Sequence, residues 1–205
     1  MALVKRTLNA PEALPEQNGA SLEQALSAPD VSTRRLAARD LARHPESLAL
    51  MLQRLVEETD YGVRQAIFCS LQSIGNKEVI AGLIPLLRSD EADLRNAAIE
   101  VLQSQPELTG EHLENLLHDA DSDVRIFAID ILQLLAHPKA PVWLLQVLEQ
   151  ETHANVLGTA LDRLAELGQP EMLPALMQLR PKIHNEPYLL FTLDLVIQRL
   201  QAQQE

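Results

Sequence analysis

The chain is short of aromatic residues, cysteine and positive charge. Phe, Trp and Tyr make up 3% of its 205 residues, too few for the half-buried strands that favour them. A single cysteine, Cys69, excludes an internal disulfide framework and suits a reducing compartment, so a cytoplasmic location is expected. Lys and Arg number 17 against 29 Asp and Glu, a net charge of −12. A surface of that sign matches phosphate backbones poorly, and nucleic acid is not expected as a partner. No apolar run reaches the ~18 residues of a membrane span. The start, "MALVKRTLNAPEALPEQNGA", has no apolar stretch after its two early basic residues, so neither a secretory signal nor a membrane partner is expected. With Pro11, Pro15 and Gly19, residues 1–20 read as a loosely held arm, leaving 21–205 as the folded array.

What is abundant is Leu, Ala, Gln and Glu, the residues that helices favour, within a chain that is 46% hydrophobic. The strongest pattern is internal repetition. The segments "VSTRRLAARDL", "YGVRQAIFCSL", "ADLRNAAIEVL", "SDVRIFAIDIL" and "ANVLGTALDRL" share an anchor, a small or aliphatic residue four positions on and a leucine eight positions on. The anchors are Thr33, Val63, Leu94, Val124 and Val156; the fourth positions are Ala37, Ile67, Ala98, Ala128 and Ala160; the leucines are Leu41, Leu71, Leu102, Leu132 and Leu164. Arginine follows four of the anchors, as Arg34, Arg64, Arg95 and Arg125. Between these segments lie further helical patterns that open near Pro, Asn or Thr with acids in the first turn, as helix starts prefer. They include "PESLALMLQRLVEE", "NKEVIAGLIPLLRS", "TGEHLENLLHD" and "PKAPVWLLQVLEQ". Two helices and their turns fill a period of about 30 residues. No single pair buries its apolar face alone, so the pairs are expected to stack. The terminal segment "YLLFTLDLVIQRL" is apolar around much of its circumference and either caps the stack or offers a dimer surface.

The residues "DSDVRIFAIDIL", "DYGVRQAIFCSL" and "DEADLRNAAIEVL" resemble the short HEAT-like repeats of the phycobilisome-lyase type, over roughly residues 20–200. The expected fold is therefore all-α: a right-handed α-solenoid of about six short HEAT-like helix pairs. The resemblance implies that the Asp of each repeat caps the second helix of its pair and that the arginine joins a ladder between neighbouring repeats. Carried over, these are Asp30 and Arg34, Asp60 and Arg64, Asp90 or Asp93 and Arg95, and Asp121 and Arg125. The fifth copy departs, with Leu157 where arginine is expected, so the ladder should stop there.

Several enzymatic readings fail on their residues. Asp119, Asp121, Asp123 and Asp130 hold positions one, three, five and twelve of a calcium-loop window. Position six, where such a loop needs Gly for its sharp turn, is Val124, and Arg125 and Phe127 follow where ligands should converge. Asp130 also falls inside a helix that the repeat alignment starts near Asp123. His112 and His118 lie six residues apart, a poor fit to one helical face, and no metal or other cofactor is expected. HEAT-like deoxyhypusine hydroxylases are built on His-Glu dipeptides, which this chain lacks. HEAT-like alkyl-base DNA glycosylases use a basic, aromatic groove, whereas residues 44–205 hold eleven Lys/Arg against twenty-four Asp/Glu and Trp143 falls on an outer-row helix. Cys69 has no activating His within its own helix, and a plain thiol is expected there.

By resemblance to the fold, the second helices of the pairs line the concave side. Positions two, six and nine after each anchor turn away from the apolar stripe. They form three columns: Arg35, Gln65, Asn96, Ile126 and Gly158; Arg39, Cys69, Glu100, Asp130 and Asp162; Ala42, Gln72, Gln103, Gln133 and Ala165. The columns run from basic at the first repeat through amides to acids at repeats three to five. Glutamines in register offer donors and acceptors to a polypeptide backbone. Acids in register repel one another, which favours a cationic partner. The expected function is a non-enzymatic scaffold or adaptor that binds a protein, through a basic segment, along this face. The alternative implied by the resemblance is an accessory or catalytic subunit in protein modification, resembling a bilin lyase.

Overall fold

The computed structural model of the chain describes residues 19–135 and 137–203. The expected arm lies outside the described residues except for Gly19 and Ala20, which open the first helix. The described residues form twelve α-helices, and no strand occurs among them. Contacts divide the chain into two compact units, Met1–Ser70 and Leu71–Glu205, with the division inside the fourth helix.

The first unit holds α1 (Gly19–Leu26), α2 (Val31–Asp40), α3 (Leu48–Glu57) and most of α4 (Tyr61–Ile74). The second holds the rest of α4, α5 (Lys77–Leu83), α6 (Ala92–Gln103), α7 (Pro106–Leu117), α8 (Ser122–Leu135), α9 (Ala140–Gln150), α10 (Ala154–Leu167), α11 (Leu173–Leu179) and α12 (Pro187–Ala202). Local chemistry sets several of these boundaries. Gly75 takes a positive φ of 50°, which glycine adopts at little cost, and ends α4. Asn76 then caps α5 by accepting from the Val79 N–H at 2.9 Å. Pro85 has no N–H to give to an α-helical bond, and the chain tightens to a 3-10 helix over Ile84–Arg88. The α7 helix begins at Pro106, ahead of the expected start at Thr109. Thr109 is instead fully buried inside it, donating its hydroxyl to the Leu102 carbonyl at 2.7 Å.

The repeat register matches the burial. Of the anchor, fourth and eighth positions in the five copies, all are buried except Thr33. The Thr33 hydroxyl faces outward and donates to Asp30 at 2.8 Å. At ~25 cal/mol per Å² of apolar surface removed from water, burying this stripe stabilises the packing of the second helices. A sixth copy is also present: Leu189, Leu193 and Ile197 on α12 repeat the four-residue spacing and are buried.

Candidate functional site

Two of the arginines that follow an anchor, Arg34 and Arg125, do two jobs at once. Arg34 donates its Nη1 to the carbonyls of Ala28 and Pro29, in the turn before its own helix, at 2.9 and 3.0 Å. Its Nε and Nη2 reach forward to the Glu58 carboxylate at 2.8 and 3.1 Å. Glu58 is 1% exposed. It also accepts from Arg54 at 2.9 Å and from the N–H groups of Thr59 and Asp60 at 3.0 and 2.9 Å. Burial alone would raise this carboxyl; the bonds from Arg34, the Asp60 N–H and Arg54 outweigh burial and lower it to about 2.

The second unit repeats the device. Arg125 donates to the carbonyls of Asp119 and Ala120 at 2.7 and 3.2 Å, and to Glu151 at 2.7 and 3.2 Å. Glu151 accepts the N–H groups of Thr152 and His153, both at 2.8 Å. Burial pushes its carboxyl up, and these hydrogen bonds overcome that and leave it below the ordinary carboxylate range. Arg95 differs. It donates to the Ser89 carbonyl at 2.7 Å and lies over the Phe127 ring, 5.0 Å from its centroid, so a cation–π contact takes the place of the ion pair. Arg64 is half-buried on α4.

The capping acids are less uniform than the repeat pattern implies. Asp30 accepts from the Thr33 hydroxyl and N–H, which hold its carboxyl below the usual range. Asp60 accepts from the Val63 N–H at 3.0 Å and Asp121 from the Asp123 N–H at 2.9 Å. Asp93 lies within the first turn of α6, and the N-cap there is Glu91. In the fifth copy Leu157 is buried where the arginine would stand. Lys182 instead donates to the carbonyls of Leu148 and Glu149 at the end of α9, at 3.1 and 2.7 Å.

The four aspartates of the calcium-like window do not converge. Asp119 pairs with Arg88 and accepts the Asp121 N–H. Asp130 lies inside α8 and pairs with Arg163 of α10 at 3.2 Å. Among the described residues no group of three or more His, Cys, Asp or Glu is placed to hold a metal ion.

The outward columns separate by unit. In the first, Arg35, Arg39 and Cys69 are exposed and Gln65 is half-buried. In the second, Gln72, Asn96, Glu100 and Asp162 are exposed, while Gln103, Ile126, Asp130 and Gln133 are half-buried. Two of the glutamines tie neighbouring repeats: Gln103 donates to the Asp130 carbonyl at 3.3 Å and Gln133 to the Glu166 carboxylate at 3.1 Å. Asp130 is thus already neutralised from within, whereas Glu100 and Asp162 have no partner among the described residues. Gly158 is covered, with the Tyr188 ring edge 3.5 Å from where a Cβ would stand. Sequence reasoning missed Glu58 and Glu151, and although it counted six helix pairs it left the outward positions of the sixth out of the columns. The sixth row places Phe191, Leu195 and Gln198, all exposed, two, six and nine positions after Leu189. The interval of 33 residues from Val156 to Leu189 was the available signal.

Residues 19–103 and 110–185 match the family of HEAT repeats. Among curated proteins, the bilin biosynthesis protein PecE of Mastigocladus laminosus is 30% identical over 149 residues, covering 70% of this chain and 55% of that protein. PecE of Nostoc sp. PCC 7120 is 37% identical over 71 residues, covering 34% of this chain and 28% of that protein. The chain spans about half the length, or less, of these curated relatives. Among solved structures, the CpcE–CpcF complex of phycocyanin lyase from Nostoc sp. PCC7120 aligns with a TM-score of 0.41 and 17% identity, over 94% of this chain and 98% of that chain. A designed armadillo repeat protein in complex with the peptide (KR)4 aligns with a TM-score of 0.42 and 18% identity, over 90% and 100%.

Proposed function

The chain belongs to the HEAT-repeat family, with repeats of the phycobilisome-lyase type, and from that premise we propose that it is a non-enzymatic scaffold or adaptor that binds another protein through the outward face of its second helices. The observation that carries this reading is the face of the second unit. Glu100 and Asp162 are exposed in one column, and Asn96 is exposed one turn before Glu100 on the same helix. The side chains between them are held by bonds that cross repeats, from Gln103, Gln133 and Arg163. A face fixed in this way loses little freedom on binding, so modest polar contacts suffice for affinity. The unpartnered carboxylates favour a basic segment over nucleic acid, and the exposed Arg35 and Arg39 of the first unit offer a contact of opposite sign. A cytoplasmic location belongs to the same reading, supported by the single free cysteine.

The test compares capture by wild type with capture by a Glu100→Lys, Asp162→Lys variant, leaving the internally paired Asp130 untouched. Loss by this variant of a partner that wild type captures supports the reading. An unchanged set of captured proteins refutes it.

A second reading is a subunit of a bilin lyase, favoured by 30% identity to PecE over 149 residues. Mixing the purified chain with a bilin, with and without a candidate acceptor protein, should then shift the visible absorbance. An unshifted spectrum in both mixtures refutes that reading.

A further inference from the structure

The cleft between α10 and α12 brings together two carboxylates, an amide, a hydroxyl and a phenol ring. Its volume is about 410 Å³, and Asn155, Gly158, Thr159, Asp162, Glu186 and Tyr188 line it. The Tyr188 ring rests on the backbone at Gly158 and is 63% exposed. Asp162 and Glu186 are both exposed carboxylates without an ion-pair or hydrogen-bond partner among the described residues. Beside the cleft, Tyr188, Phe191 and Leu195 follow one another at three and four residues along α12, so they share one helical face. They are 63%, 62% and 49% exposed. A run of three large apolar side chains in one stripe is unusual on a helix whose opposite face is already buried.

We propose that this cleft seats one lysine or arginine side chain of a partner polypeptide, whose neighbouring apolar residues pack on Tyr188, Phe191 and Leu195. The proposal deepens the protein-binding reading above and rests on it. A cation placed between two carboxylates relieves their mutual repulsion, and the same cation is attracted to the face of an adjoining phenol ring. The apolar stripe supplies the non-directional part of the affinity and the carboxylates its register. A second copy of this chain is a poor occupant. A two-fold axis through the cleft would bring Asp162 and Glu186 against their own counterparts, in a chain that already carries a net charge of −12. A basic, amphipathic segment of a different protein meets both halves of the site.

The experiment probes the full-length chain with an immobilised array of nonapeptides. Each carries Lys, Arg, Glu or Ser at its centre and two leucines at every pair of flanking positions, with serine elsewhere. Retention is expected to be at least tenfold higher for central Lys or Arg than for Glu or Ser, and to fall at least tenfold when both leucines become serine. Two variants separate the halves of the site, and all four replaced residues are at the surface, so circular dichroism should match wild type. Asp162→Asn with Glu186→Gln should abolish the preference for a central cation while keeping the preference for leucine; Phe191→Ser with Leu195→Ser should do the reverse. Retention that ignores the central residue, or that neither variant changes, overturns the proposal. If those variants are silent while Glu100→Lys abolishes retention, the cleft is wrong and the protein-binding face survives. If no peptide is retained above background, both fall. Sedimentation of wild type as a dimer that Phe191→Ser with Leu195→Ser dissociates would assign the stripe to self-association and overturn the proposal as well.

Discussion

Replacing Glu58 by Gln removes a charge from the most enclosed ion pair in the first unit while keeping the side chain's shape. The glutamine oxygen still accepts the N–H groups of Thr59 and Asp60. Its NH2 group, however, now faces the Nε of Arg34 and the guanidinium of Arg54, donors that lose the oxygen that received them. In the wild type the Glu58 carboxyl is lowered from 4.5 to about 2, a difference worth about 3 kcal/mol of folding stability at neutral pH. Because the folded value is the lower one, the contribution is complete above the unfolded value of 4.5. It is lost as pH falls toward 2, and at pH 3 about 1.4 kcal/mol remains. The assay is urea unfolding followed by far-ultraviolet circular dichroism, at pH 7 and at pH 3, for wild type and Glu58→Gln. The variant should lose about 3 kcal/mol at pH 7 and less than half of that at pH 3. A loss below about 1 kcal/mol at pH 7, the range of an exposed ion pair, would refute the reasoning, as would a loss of the same size at both pH values.

Arg125→Ala leaves Glu151 partly buried without its cation and the Asp119 and Ala120 carbonyls without a donor. Urea unfolding read by Trp143 fluorescence should show a loss of about 1–3 kcal/mol, and Arg125→Lys a smaller one. Gly168→Ala should cost at least about 1 kcal/mol by thermal unfolding, because a Cβ would stand 2.5 Å from the Leu164 carbonyl and the backbone at the end of α10 has to give way. Adding 5 mM calcium in place of chelator, an amount set on the order of the weakest calcium-loop affinities, should leave the melting temperature unchanged, since Arg88 and Arg163 already engage Asp119 and Asp130. A rise of several degrees would restore the calcium reading.

The helices were legible because burial obeys one spacing. Val63, Leu94, Val124 and Val156 and the residues four and eight beyond them are buried where the period places them, and hydrophobic periodicity needs no tertiary knowledge. The arginine rungs were legible only in half. Arg34 and Arg125 stand out because they recur, but their partners Glu58 and Glu151 sit among many other acids of this chain. Which acid is chosen depends on how the next turn folds, and that is tertiary information. Five positions before each anchor the residues are Ala28, Glu58, Ser89, Asp119 and Glu151; an acid stands there in three of the five copies, and Glu58 and Glu151 take the arginine of the preceding copy while Asp119 pairs with Arg88. The same limit applied to Asp130. Its place in an outward column followed from the period, but its neutralisation by Arg163 is a contact 33 residues away. The sixth row was hidden by composition, because Leu and Ile crowd α12 so thickly that Leu189, Leu193 and Ile197 did not stand out from Phe191 and Leu195.

The arginine rung has a consequence for how the chain is made. Each tie closes a short span: Arg34 finds Glu58 only 24 residues later, and Arg125 finds Glu151 after 26. On a ribosome, an arginine therefore waits less than one repeat's worth of synthesis for its carboxylate to emerge. Until then, its guanidinium already holds the carbonyls of the turn behind it. Folding can follow synthesis one repeat at a time, with no long loop to close at any step.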